Sequence, residues 1–265
     1  MSRAPVTPSA WDGLRRFTDA RIALGRAGHS LPTAAHLAFQ QAHAQARDAV
    51  HAALDIPTLA SDLEALGLTV LPGHSAATDR PCYLQRPDLG RRLDGATRDR
   101  LSAVRGARAH LCLVLADGLS PQAVARHAPS LLGELLPRLR SDPRPWTLAP
   151  AVIVAQGRVA VGDEVGELLG ADLVVVLIGE RPGLSSPDSL GIYFTWAPRV
   201  GRSDAERNCI SNVRDAGLAP GRAAATLHAL MRQARERQLT GIGLKDETDP
   251  GSVGATGNGA YLSGR

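Results

Sequence analysis

The sequence predicts an α/β fold, a Rossmann-like and mostly parallel sheet with a helical N-terminal part. Two observations carry this. Short, continuous aliphatic runs such as "HLCLVLADG" and "DLVVVLIG" alternate with helical stretches, as strands buried on both faces do. The first fifty or so residues instead repeat alanine at helical spacing. A third observation limits the core. Hydrophobic residues make up 44% of the 265 but aromatics only 3%, so Ala, Leu and Val must do most of the packing.

Taken in order, Leu31 to Asp55 reads as a helix that opens on Pro32 and Thr33 and holds no further Pro or Gly. Ala35, Ala38, Ala42, Ala46, Ala49 and Ala53 line one face of it, a small-residue seam that suits close packing on the chain's own body or on another subunit. His36, His43 and His51 stand about two turns apart, a spacing that suits a solvated face better than metal ligation. Strands follow at Leu68–Gly73, His110–Gly118, Ala149–Gly157 and Asp172–Gly179, with a fifth at Ser189–Ala197. Helices fill the gaps at Ser120–Leu139 and Glu164–Leu169, and a last one spans Pro220–Gln238. The domain reading is a helical region over 1–58, an α/β domain over 59–240 and a flexible Gly-rich tail over 241–265.

Composition narrows the function. The formal charge is +4, but the positive residues are nearly all arginines interspersed with Asp and Glu, and Lys245 is the only lysine. No basic stripe with interleaved aromatics marks a nucleic-acid surface. Cys82, Cys112 and Cys209 are an odd number without metal-ligand spacing, which suits free thiols in a reducing cytoplasm. No signal peptide is legible, and no apolar run approaches the ~18 residues of a membrane span.

Ligands of open parallel sheets bind outside the carboxyl ends of the strands. Those ends read Gly73-His74, Asp117-Gly118, Gln156-Gly157-Arg158 and Gly179-Glu180-Arg181, which gathers glycine and polar groups on one rim. Pro182 holds Arg181 extended, while Gly179 and Gly183 free the backbone around it. A binding crevice and a plain strand-terminating turn both fit that pattern. There is no P-loop, no complete dinucleotide fingerprint and no G-x-S-x-G elbow. Cys209 in "RNCISN" has no histidine nearby in sequence, so a structural or ligand-contact thiol fits better than a nucleophile.

Five stretches in fixed order, "RIALGRAGHSLPT", "DRPCYLQRPDLGRRL", "ADGLS", "GERPGL" and "RNCISN", resemble the small (light) subunit of ethanolamine ammonia-lyase. The resemblance runs from about Thr18 to Lys245. It implies a two-subunit carbon–nitrogen lyase that uses adenosylcobalamin to convert ethanolamine to acetaldehyde and ammonia by a radical mechanism. The large subunit would carry substrate and the radical chemistry, and the small subunit would cover the cobalamin from the other side, with no activity alone. The family's cobalamin contacts match Val159, Glu180 and Cys209 here, with no catalytic residue and no metal ligand in this chain. Arg158 and Arg181 become partners for the cofactor's phosphate or for carboxylates of the large subunit. The Asp-x-His-x-x-Gly signature is absent, which fits a cofactor that keeps its own benzimidazole ligand. The implied location is the cytoplasm, or the bacterial microcompartment in which some members of the family are packaged. Two alternatives stand beside this reading: a mainly structural scaffold subunit with few cofactor contacts, and a stand-alone enzyme using Asp117 or Glu180 as acid–base.

Overall fold

A computed structural model describes residues 6–245. The α/β architecture and the mostly parallel sheet are both present. Six strands lie in the order β1-β3-β2-β4-β5-β6: β1 Val70–His74, β2 Ala109–Ala116, β3 Ala151–Ala155, β4 Ala171–Gly179, β5 Leu190–Trp196 and β6 Asn208–Val213. The first four run parallel, and β5 and β6 add an antiparallel edge. The sixth strand is formed by the polar "NCISNV", whose composition gave no strand signal.

Alternate residues of each strand feed two separate cores. Leu111, Leu113, Leu115, Leu173, Val175 and Leu177 face one side, with α2 (Ile56–Ala65), α5 (Pro121–Arg140) and α7 (Pro220–Arg237) above them. Cys112, Val114, Val152, Val154, Val174 and Val176 face the other, under α4 (Gly95–Ala103) and α6 (Val161–Leu169). The connections from β1 to β2 and from β3 to β4 step one way across the sheet on the α4–α6 side. The connection from β2 to β3 steps back on the α5 side. Steps in opposite directions on opposite faces share one hand, as parallel crossovers require.

Local sequence explains the helix starts. Asp55, Asp79, Asp94 and Ser120 each accept a hydrogen bond from the backbone of their helix's first turn. The first of these corrects the sequence reading: the helix predicted over Leu31–Asp55 ends earlier, as α1 Thr33–His51, because Asp55 caps α2 instead. The line drawn between residues 58 and 59 falls within α2, whose Leu59 and Leu63 are buried in the main core. Gly241 to Leu244, grouped by sequence with the tail, packs on β6. Asn208 donates to the Gly241 and Leu244 carbonyls and accepts from the Gly241 N–H, and Leu244 is buried. The tail from Asp246 onward lies outside the described residues.

Helix α6 lies close on the sheet because it carries glycines where it touches. A Cβ on Gly162 would come within 2.3 Å of Val176, and one on Gly166 within 2.6 Å of Pro198. At its start, Asp163 forms a fully buried ion pair with Arg207 at 2.6 Å, which ties α6 to the beginning of β6. Among the described residues, no helix is long and apolar enough to cross a membrane.

Candidate functional site

The four strand ends expected to share a rim do so, and two of them are locked together. A Cβ on Gly179 would meet the Ser120 carbonyl oxygen at 2.0 Å. Gly118, at φ +57°, fits against the Gly179 backbone, whose carbonyl accepts from the Leu119 N–H at 2.9 Å. Only a residue without a side chain allows β2 and β4 to exit this close. The rim then turns through residues 180–189 into β5. The Glu180 N–H donates to the Ser189 carbonyl, and Gly183 and Ser186 exchange two backbone bonds across a tight turn.

Asp117 was one of two acid–base candidates for a stand-alone enzyme, and its surroundings argue against that role. It is 3% exposed, its two oxygens accept from the Gln156 and Gly157 N–H groups, and Arg80 lies 3.7 Å away. Burial still pushes its carboxyl up. The group staples the end of β2 to the end of β3. Arg80 braces the same corner, donating to the Val50 and Gly118 carbonyls and to Gln156 Oε1. Arg80 and Arg158 stack on the Tyr83 ring at 4.6 and 4.5 Å. The "DRPCY" motif thus builds the support beneath the rim. Arg158 is turned inward, donating to the Tyr83 carbonyl, whereas Arg181 is exposed.

Glu180 stands half-buried at the end of β4, beside the uncovered part of the sheet. Its Oε2 accepts from the Ser189 hydroxyl at 2.5 Å and from the Asn212 N–H at 3.1 Å, while Oε1 has no partner among the described residues. Gly191 lies under it, and a Cβ there would approach both Oε1 and Tyr193. Asn212 takes a left-handed backbone, φ 59°, beside a register shift between β5 and β6, which aims its N–H at the carboxylate.

Cys209 is exposed and pairs with Tyr193 across the two strands. Partial burial of the sulfur beside Tyr193, together with the nearby Glu180 charge, holds the thiol above its ordinary range. Tyr193 itself is pushed well up by burial and by Cys209. Glu180 and Cys209 therefore belong to one cluster. Val159 reaches the same side of the sheet by another route. It precedes α6, which rests on Val176, and Val176 pairs with Tyr193. Its own N–H and that of Ala160 are given no partner by the described residues, so two donors stand free at the positive end of a helix. Helices α4 and α6 cover this face as far as β4, leaving Tyr193, Cys209 and Glu180 as a shelf beyond them.

Tyr193 and Ser189 join this cluster without having been singled out in the sequence, and Asn212 entered there only within "RNCISN". In the strand, period-two alternation puts Gly191, Tyr193 and Thr195 on one face. Nothing in the sequence told which face was left open. Among the described residues no cluster of His, Cys, Asp and Glu could hold a metal ion.

Comparison with known proteins agrees with the motif order. The family described as "Ethanolamine ammonia-lyase light chain" matches residues 8–245. The chain belongs to this family. Curated relatives named ethanolamine ammonia-lyase small subunit extend the likeness over nearly the whole length. The protein of Azotobacter vinelandii is 58% identical over 260 residues, covering 97% of this chain and 96% of its own. That of Xanthomonas campestris pv. campestris is 58% identical over 250 residues, with 92% and 91% covered. That of Pseudomonas putida is 55% identical over 270 residues, with 99% and 98% covered. As a light chain of an ethanolamine ammonia-lyase, the molecule is one part of a lyase used in ethanolamine catabolism.

Proposed function

We propose that this chain is the small subunit of an adenosylcobalamin-dependent lyase that converts ethanolamine to acetaldehyde and ammonia, and that it holds the cofactor's edge against a larger chain carrying the substrate. When bound, the cofactor supplies radical chemistry through its cobalt–carbon bond. This chain's own residues bind, orient and enclose.

The observation that carries the proposal is the half-engaged carboxylate of Glu180. One oxygen is fixed from within by Ser189 and Asn212, and the other is left as an open acceptor on a rigid turn. Cobalamin is a flat disc fringed with primary amides, and an acceptor held in place by its other oxygen suits such a fringe. A hydrogen bond to an ionised group contributes about 1.5–3 kcal/mol net. The free N–H groups before α6 add donors at Val159 for the amide carbonyls, and the Val159 side chain adds apolar contact. Cys209 adds a small polarisable surface whose thiol stays protonated and inert, because burial and Glu180 both oppose the thiolate. Among the three contacts, Glu180 fixes orientation and the other two supply shape. Arg181, exposed on the same turn, is placed to meet an anionic group of the cofactor tail or of the larger chain. We place the complex in the cytoplasm, with packaging in a bacterial microcompartment as a variant of the same role.

The test is co-expression with the larger chain and assay of ammonia release with and without adenosylcobalamin. Activity is expected only with both chains and cofactor present, and release of ammonia by this chain alone would overturn the proposal. In the complex, Glu180→Ala should weaken cobalamin binding by about 10- to 150-fold while leaving the assembly and its melting temperature intact. Unchanged cofactor affinity would instead favour a scaffold subunit.

A further inference from the structure

The exposed apolar side chains of the described residues are concentrated in one segment. Among the described residues, eight of the eleven large exposed hydrophobics fall between Val6 and Phe39, among them Trp11 at 69%, Leu14 at 44% and Leu37 at 57%. The 3-10 turn Asp12–Phe17 buries none of its residues. Helix α1 buries only Ala42 and Ala49, neither of them in its first nine residues. From Val6 to Gln41 only Pro32 is buried. An ordered segment of this length, with its tryptophan and leucines in water, lacks the internal burial that offsets its own ordering. Leu37 and Phe39 are two positions apart, so they stand on different sides of α1, and contact along one line cannot cover both.

The segment is also tied to a particular place. Arg21 Nη2 donates to the Leu184 carbonyl at 3.2 Å, on the turn that follows Glu180. At the far end of α1, the Val50 carbonyl accepts from Arg80 Nε at 2.6 Å, and Arg80 also holds the Gly118 carbonyl at the rim. Both anchors sit at the carboxyl end of the sheet, so the arm is held at the same end of the molecule as Glu180.

We infer that residues 6–39 are the docking arm for the larger chain of the lyase, which encloses the arm and meets the cofactor shelf with one continuous surface. This rests on the two-chain reading above. The tie from Arg21 to Leu184, on the turn that follows Glu180, selects the larger chain as occupant over a second copy of this one. Trp11 and Leu14 on the turn, and Leu37 and Phe39 on α1, are the anchoring side chains.

Two double variants test it in the co-expressed complex, Trp11→Glu/Leu14→Glu and Leu37→Glu/Phe39→Glu. Each should weaken association with the larger chain by about 30-fold or more, measured by sedimentation, with the circular dichroism of the variant chain unchanged. Hydrogen exchange on the unaltered protein needs no variant, and amides 12–17 and 33–41 should gain protection on assembly. Wild-type association in both variants, or no gain of protection there, overturns the inference. So does a homodimer of the lone chain that the variants break while the larger chain still binds. Glu180→Ala, run in parallel, should keep the larger chain and loosen cobalamin. Loss of that second effect alone counts against the cofactor reading and leaves the docking arm standing.

Discussion

Gly179 leaves no space for a side chain, because a Cβ would lie 2.0 Å from the Ser120 carbonyl oxygen and 2.7 Å from that of Asp117. Those neighbours are backbone, so they cannot turn aside. Gly179→Ala should push the β2 and β4 exits apart at a cost of about 1–3 kcal/mol, seen as a lower urea midpoint. Because Glu180 is the next residue, cofactor affinity should fall as well. An unchanged midpoint would show that the rim is looser than these contacts require. At this scale the sequence was legible in part. Gly-Glu-Arg-Pro-Gly after an aliphatic run announced a rigid turn at a strand end, and Glu180 stands there. The bond from Asn212 was not legible, because it depends on an antiparallel register and a left-handed residue twenty to forty positions away. Arg158 was read as facing a ligand, yet it lies against Tyr83, since a guanidinium three residues past a strand can fold back onto an aromatic ring.

Between elements, the pair Asp163–Arg207 joins α6 to β6 with both side chains almost fully out of solvent. Arg207 also donates to Thr195 and to the Arg202 carbonyl, so its charge is well satisfied. Arg207→Ala should cost about 3–5 kcal/mol, since it leaves a buried carboxylate uncompensated. The pH dependence follows from the direction of the shift. Burial holds Asp163 above its ordinary 3.8 even with Arg207 present. The folded state thus keeps that proton longer than the unfolded one. The contribution is present below 3.8 and is lost as pH rises through the folded-state value. Without Arg207 the window should widen upward, so thermal melts of the variant should recover most at low pH. Melts that stay parallel to wild type across that range would refute it. Most elements of the sheet were readable because buried parallel strands are continuously aliphatic. The sixth strand was hidden by its polar edge position, and α1 was overextended because Ala52, Ala53 and Leu54 continue the apolar pattern past the point where Asp55 begins a new helix.

At the scale of the whole molecule, the described residues divide into a body with two cores and an arm with none. Leu132, fully buried on α5 in the larger core, should cost about 2–5 kcal/mol when truncated to Ala, lowering the melting temperature of the entire body together. A melt that splits into two steps would show that the two faces of the sheet unfold separately. The arm should open independently of that transition in the isolated chain. The division between body and arm was partly legible in the alanine-rich helix, but the exposure of the arm was not, because its tryptophan and leucines look like any other core residues when written in a row. The Arg80 guanidinium ties the end of α1 to the rim: it touches Val50, the exits of β2 and β3, and the ring of Tyr83 at once. Positions 80, 83, 117 and 156 should therefore be inherited as a block, and a relative with another residue at 80 should carry compensating changes at the other three.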